Sequence, residues 1–437
     1  VAPGATLAPA LGPQGSATEP KLPGASIRFD HITPEDGLPG GAVYWVTQDR
    51  LGFLWIGTND GLARYDGRAF KVYRHDPDDA ASLSENHVFH ILEDRQGSLW
   101  VATYGGGLER LDREQETFKH YDYDPNDPFS LGNNKVFGLF EDSAGVLWIA
   151  TSGGGLDRYD PDVDGFVHYR HDPDDPDSLI SDYVNVIYEG RKGNLWLGTT
   201  GGLEKFDRKT ETFTHYRHDP SEPYSLSNDQ VFSITEARWD MLWVGTSGGG
   251  LNLFVEETGQ FFHYRHDPED PYSLSDDVVF MLLKDSTGTL WTASLGGGLH
   301  RFDPEGERFI RYRHDPANPH SLGGDSVNTL FEDREGTIWI GTTQGLDRYA
   351  RQRNKFDRFL SLEFVEAVME DRQGRVWLGM TDGLYRLDAR LKQKVVYQNE
   401  PDDPDSLSAG WVQALYESAD GVLWIGTSGG GLDRFDQ

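Results

Sequence analysis

Nine tryptophans recur inside one small frame: an aliphatic residue, Trp, a hydrophobic residue or Thr292, then Gly or Ala. They are Trp55, Trp100, Trp148, Trp196, Trp243, Trp291, Trp339, Trp377 and Trp424, spaced by 45, 48, 48, 47, 48, 48, 38 and 47 residues. A period of this size dictates a repeat architecture. The repeat runs from Ile27 to the C-terminus, so these residues are read as one domain despite a length of 437 residues. Within one period, VFHILED (88–94), LWVAT (99–103), LERLD (108–112) and TFKHY (117–121) read as short strands separated by turn residues. The loop DYDPNDPFSLGNN then leads to the next repeat. Four antiparallel strands per period, without helical periodicity, describe a propeller blade, so the fold class expected is all-β. The nine Trp residues are the expected structural anchors.

The ends suggest how such a ring closes. The last repeat supplies three strands before Gln437, whereas a strand of the fourth type, IRFDHIT (27–33), precedes the first repeat. The count predicts a single closed propeller of nine four-stranded blades, its last blade completed by the N-terminal strand. The alternative is a seven-bladed ring plus two extra blades. Residues 1–26, rich in Ala, Pro, Gly and Ser, read as a disordered linker of the kind left where an export signal has been removed.

A net charge of −32 argues against a nucleic-acid partner, since phosphate binding rests on Lys and Arg. No apolar run approaches the ~18 residues of a membrane helix. The chain contains no cysteine, so the fold relies on no disulfide.

The opening FDHITPEDGLPGGAVYWVTQDRLGFLWIGTNDGLARYDG (29–67), with EDRQGSLWVATYGGGLERLD (93–112) and YRHDPDDPDSL (169–179), resembles the two-component regulator propeller repeat. The resemblance covers about 410 residues and implies a non-catalytic sensor, exported to the periplasm or outside the cell, for carbohydrate fragments. The family's usual rings have seven blades, against the nine expected here.

Several motifs invite chemistry and have plainer readings. The histidines of HYRHDP (168–173, 215–220 and 263–268) point to opposite faces of an extended strand, which disfavours shared metal ligation and favours a loop-ordering role. DPDVDG (160–165) begins like a calcium loop but has His171 where a bidentate Glu is needed. The triple glycines join strand to strand, not strand to helix as a phosphate cradle would. D-x-x-G-x-L-W differs by one residue from a sialidase Asp-box. No metal or cofactor is therefore expected.

The informative variation lies where the long loop enters the innermost strand. Each strand there has a Val (43, 88, 136, 184, 231, 279, 327, 365 and 412), and in six repeats an Asn or Asp stands two residues earlier, read as an Asx turn. The residue between varies freely: Ala42, His87, Lys135, Tyr183, Gln230, Val278, Ser326, Phe364 and Trp411. Innermost strands line the channel, so these side chains are expected to ring its mouth. Trp45, His87, Lys135, Tyr183, Gln230, Phe364 and Trp411 form the candidate ligand site, suited to an oligosaccharide or other small polar ligand with flat faces. Trp45 and Trp411 are expected to pair across the closure. The short repeat between Trp339 and Trp377 predicts a notch beside Phe364. The leading reading is a ligand-binding sensor; the alternatives are a scaffold for protein partners, or a propeller lyase or hydrolase.

Overall fold

A computed structural model describes residues 27–350 except 239, and 365–435 except 374, 388–393 and 419–420. Phe364 and the expected linker, 1–26, lie outside the described residues. Nine antiparallel sheets form, one for each Trp anchor. The first blade illustrates the pattern: Val43–Gln48 is innermost, followed outwards by Leu54–Thr58, Gly61–Tyr65 and Phe70–Tyr73. Apolar and β-branched residues fill the second strand, which is buried along its whole length because blades cover both its faces.

The turn before each Trp explains the D-x-x-G-x-L-W pattern. In the first blade, Asp49 Oδ1 accepts the backbone N–H groups of Leu51 and Phe53, and Oδ2 accepts Trp55 Nε1–H at 2.8 Å. Gly52 occupies φ 94°, where a side chain would be strained. The same Asp–Trp bond recurs at Asp94, Asp142, Asp285, Asp333 and Asp371.

The seam lies elsewhere than the strand count placed it. The N-terminal strand is indeed the outer strand of a blade, but Asp30–Ile32 pairs with Gly345–Ala350 of the seventh, in the register Asp30↔Arg348, His31↔Asp347, Ile32↔Leu346. It performs the work of a covalently continuous outer strand. His31 Nδ1 meets Asp347 at 2.7 Å and Nε2 meets the Pro319 carbonyl at 3.1 Å; His168 makes the same two bonds to Asp157 and Pro128. Phe29 is buried against Tyr312 and Tyr349.

Trp packing confirms where the ring closes. Trp55 packs on Val88, Ile91 and Leu99 of the second blade, and each Trp through Trp291 likewise packs on the blade after its own. Trp339 packs on Val43, Val46 and Ile56 of the first blade. Innermost strands Val43–Gln48 and Val327–Glu332 are neighbours, so seven blades close into a ring, the arrangement given above as the alternative.

The other two sheets belong to a second compact unit, divided from the first near residue 351. One has four strands, from Val365–Glu370 to Lys394–Tyr397; the other has three described strands, Val412–Glu417, Leu423–Thr427 and Gly431–Phe435. Trp377 is buried against Val412, Leu423 and Ile425, repeating the Trp-to-next-blade joint. Eight anchors are 0–7% exposed; Trp424 is the exception, only half-buried.

Candidate functional site: the central channel

Nine of nine innermost strands carry a bulge immediately after the leading Val, shifting register between Val43 and Trp45 and at every equivalent position. A bulge leaves one residue out of the ladder and re-aims its side chain. In the seven-blade ring the residues so placed are Tyr44, Phe89, Phe137, Asn185, Phe232, Phe280 and Asn328, and all seven line a central cavity of about 620 Å³. Five are aromatic. The two asparagines are spent on the scaffold: Asn185 Nδ2 donates to the Val231 carbonyl and Asn328 Nδ2 to that of Val43.

The aromatic residues fall into two groups: Phe232 and Phe280 of blades five and six meet at 5.1 Å, and the larger group lies on blades one to three. Tyr44 stacks on Phe89 with centroids 5.5 Å apart, and Phe89 meets Phe137 edge-on at 4.8 Å. His87 lies against Tyr44 at 4.5 Å, Tyr104 against Phe137 at 5.7 Å, and the Lys135 ammonium sits 5.3 Å above the Tyr104 ring. These residues form a continuous shelf on blades one to three. Deeper in the channel, Trp45 lies on His90 with centroids 3.6 Å apart. Trp45 Nε1, His90 Nδ1 and His87 Nε2 are buried without hydrogen-bond partners. Burial lowers the pKa of His87 and takes that of His90 down to about 3, so both rings are neutral at pH 7.

The sequence-derived candidates fall at two levels. His87, Lys135, Tyr183 and Gln230 stand one residue before the innermost strands, with their backbone carbonyls tied to Tyr104, Ser152, Thr200 and Ser247. Lys135, Tyr183 and Gln230 are exposed, and His87 is half-buried. Trp45 lies within the channel wall. Trp411 belongs to the last blade of the second unit, and the blade across the seam from Trp45 is the seventh. Tyr44, Phe89 and Phe137 fall outside the sequence-derived set, which ends at the residue before the Val. The residue after it, aromatic in five of the seven blades, was the readable signal.

The six Asn and Asp residues before the strands do more than form local turns. Each side chain reaches back eleven residues across the long loop, as Asp182 Oδ1 does to the His171 N–H at 2.7 Å. In five of the six the carbonyl also accepts one or two N–H groups from the glycine turn of the preceding blade, Gly153 and Gly155 in the case of Asp182. Long loops and glycine turns therefore share one face. His171 Nδ1 closes on the Leu179 carbonyl at 2.8 Å, giving the HYRHDP histidines their loop-ordering role. The DPDVDG segment is a hairpin turn in which Asp164 binds Lys119, Tyr121 and Tyr159.

Six segments match the family described as two component regulator propeller: residues 37–60, 82–105, 130–153, 178–201, 321–344 and 406–429. A 64-residue stretch, 15% of this chain and 5% of the other, is 44% identical to Histidine kinase P4 of Formosa agariphila. The extracellular domain assigned to a hybrid two component system of B. thetaiotaomicron is similar in structure, with a TM-score of 0.65 and 25% identity over 94% of this chain. The chain spans 54% of that domain's length. Virginiamycin B lyase of Staphylococcus aureus shares the fold alone, at 15% identity and a TM-score of 0.54 over 74% of this chain and 99% of the lyase. Repeated segment matches, a kinase relative and shared architecture agree that this chain carries two component regulator propeller repeats.

Proposed function

We propose that this chain is the exported recognition domain of a two-component sensor, and that its ring binds a carbohydrate at the channel mouth. The observation that carries the reading is the aromatic shelf of Tyr44, Phe89, Tyr104 and Phe137. Sugar C–H faces pack on aromatic rings, while hydroxyl groups need donors and acceptors at the edge. Lys135, Tyr183 and Gln230 supply such groups at the rim, and Trp45 and the two neutral histidines supply them in the wall. The extracellular setting of the B. thetaiotaomicron domain supports export, and the kinase relative supports a signalling output.

The site is read as non-catalytic. Glu93 on the wall is already held by Arg113 and the Arg50 N–H, and among the described residues no carboxylate partners His90 as a general base would require. The test is calorimetry against a panel of oligosaccharides with wild type, Tyr44→Ala, Phe89→Ala and, as a control from the other unit, Trp411→Ala. Wild type and Trp411→Ala are expected to bind the same sugar, with binding lost in the shelf variants. Equal binding by Tyr44→Ala and Phe89→Ala would remove the channel mouth as the site.

A further inference from the structure

Two of the joints between ring blades share one buried charge pattern. At the first joint, Asp49 takes Trp55 Nε1–H, and Arg113 from the second blade bridges Asp49 and Glu93. The joint between blades three and four repeats it with Asp142, Trp148, Arg208 and Glu189. Between blades four and five, Gly190 replaces the Asp, but Glu256 enters from the facing blade and accepts Lys192, Asn194 and Lys205.

The joint between blades five and six departs from this pattern at all three positions. Ala237 stands where the Asp belongs, Pro304 where the Arg belongs, and Lys284 where the Glu belongs. No described side chain refills the gap, and a cavity of about 530 Å³ lies there. Its walls are the rings of Trp243, Tyr264 and Phe302, with Arg238 and Lys284 on the lining and Glu307 exposed. Lys284 Nζ donates to the Ala237 carbonyl at 2.7 Å, leaving two further donors. Trp243 Nε1 makes no hydrogen bond with a described residue, unlike its counterparts held by Asp in six other blades. The Trp donor that elsewhere holds a carboxylate thus remains, the carboxylate is gone, and the sign of the facing charge is reversed.

We infer that this joint binds a small organic carboxylate with an aromatic body, the carboxylate taking the place of the missing Asp between Trp243 Nε1 and Lys284. The body lies among Trp243, Tyr264 and Phe302, whose faces and edges suit a flat ring. The site is independent of the channel mouth, being built between two blades and away from the shelf on blades one to three.

Benzoate is the probe, with benzamide as its uncharged isostere, at matched ionic strength. Benzoate is expected to raise the melting temperature of the full chain and benzamide to leave it unchanged. Ala237→Asp returns the carboxylate from within and abolishes the benzoate shift. Lys284→Gln and Trp243→Phe, which keep the packing, weaken benzoate binding by ~10-fold or more, as loss of a charge-assisted bond requires. No benzoate shift in wild type, an equal shift with benzamide, or an undiminished shift in Ala237→Asp would each show a packing gap only and overturn the proposal.

Discussion

A cysteine staple across the seam tests the ring closure directly, because the chain has no cysteine of its own. Asp30 and Arg348 are directly opposite in an antiparallel pair. Such pairs hold their Cα atoms about 4.5–5.5 Å apart, within the range a disulfide spans. The double variant Asp30→Cys/Arg348→Cys should therefore oxidise readily. It sacrifices the exposed Arg348–Asp30 ion pair, with side chains 44% and 36% accessible, which contributes ~1 kcal/mol or less. The bridge would close a loop spanning 318 residues. Chain entropy for such a loop gives a ceiling of ~5.7 kcal/mol of stabilisation at 25 °C. The assay is mobility on a non-reducing gel, followed by urea unfolding with and without reductant. The matched control is Asp30→Cys/Arg434→Cys, since Arg434 is the equivalent position in the last blade. Cross-linking of the control in place of Asp30→Cys/Arg348→Cys would refute closure at the seventh blade and restore closure at the last.

Two further outcomes follow from burial. Trp196→Ala should cost ~3–5 kcal/mol in urea unfolding, whereas Trp424→Ala, at a half-buried anchor, should cost clearly less; equal losses would contradict the Trp-to-next-blade joint. Burial raises the pKa of Glu109 from 4.5 to about 8, although Ser84 bonds oppose the shift. The folded state then holds more protons than the unfolded state between those values. Stability should fall as pH rises from about 4.5 to 8, by at most ~1.4 kcal/mol per pH unit, and Glu109→Gln should flatten that decline. An unchanged slope in Glu109→Gln would assign the pH dependence elsewhere.

The blade was legible in the sequence because its signals are local. Strand periods, the Asp–Gly turn and the Trp frame each lie within about twenty residues, and nine sheets follow from them. The seam was not, because pairing of the first strand is non-local. An unmatched outer strand at one end and a three-stranded repeat at the other satisfy a count, yet a count does not say which blade receives the strand. The 38-residue spacing after Trp339 was the available clue, marking the blade whose outer strand comes from elsewhere. The candidate site was half legible for a related reason. Alternation along a regular strand would not send the residue after Val into the channel; the bulge does, and it belongs to the ladder with the second strand. His87 and Lys135 were reached because they border the same shelf from one residue away.

The seam brings the entering and leaving segments of the ring into one sheet, where they pair over three residues. A pull on either segment is therefore borne first by its neighbour, and the load need not travel round the other six blades. Phe29 ties that sheet to Tyr312 of the sixth blade, and Trp339 ties it to the first, so strain at the seam is shared to both sides. Under a pull on both segments, this makes the seventh blade the strain gauge of the ring.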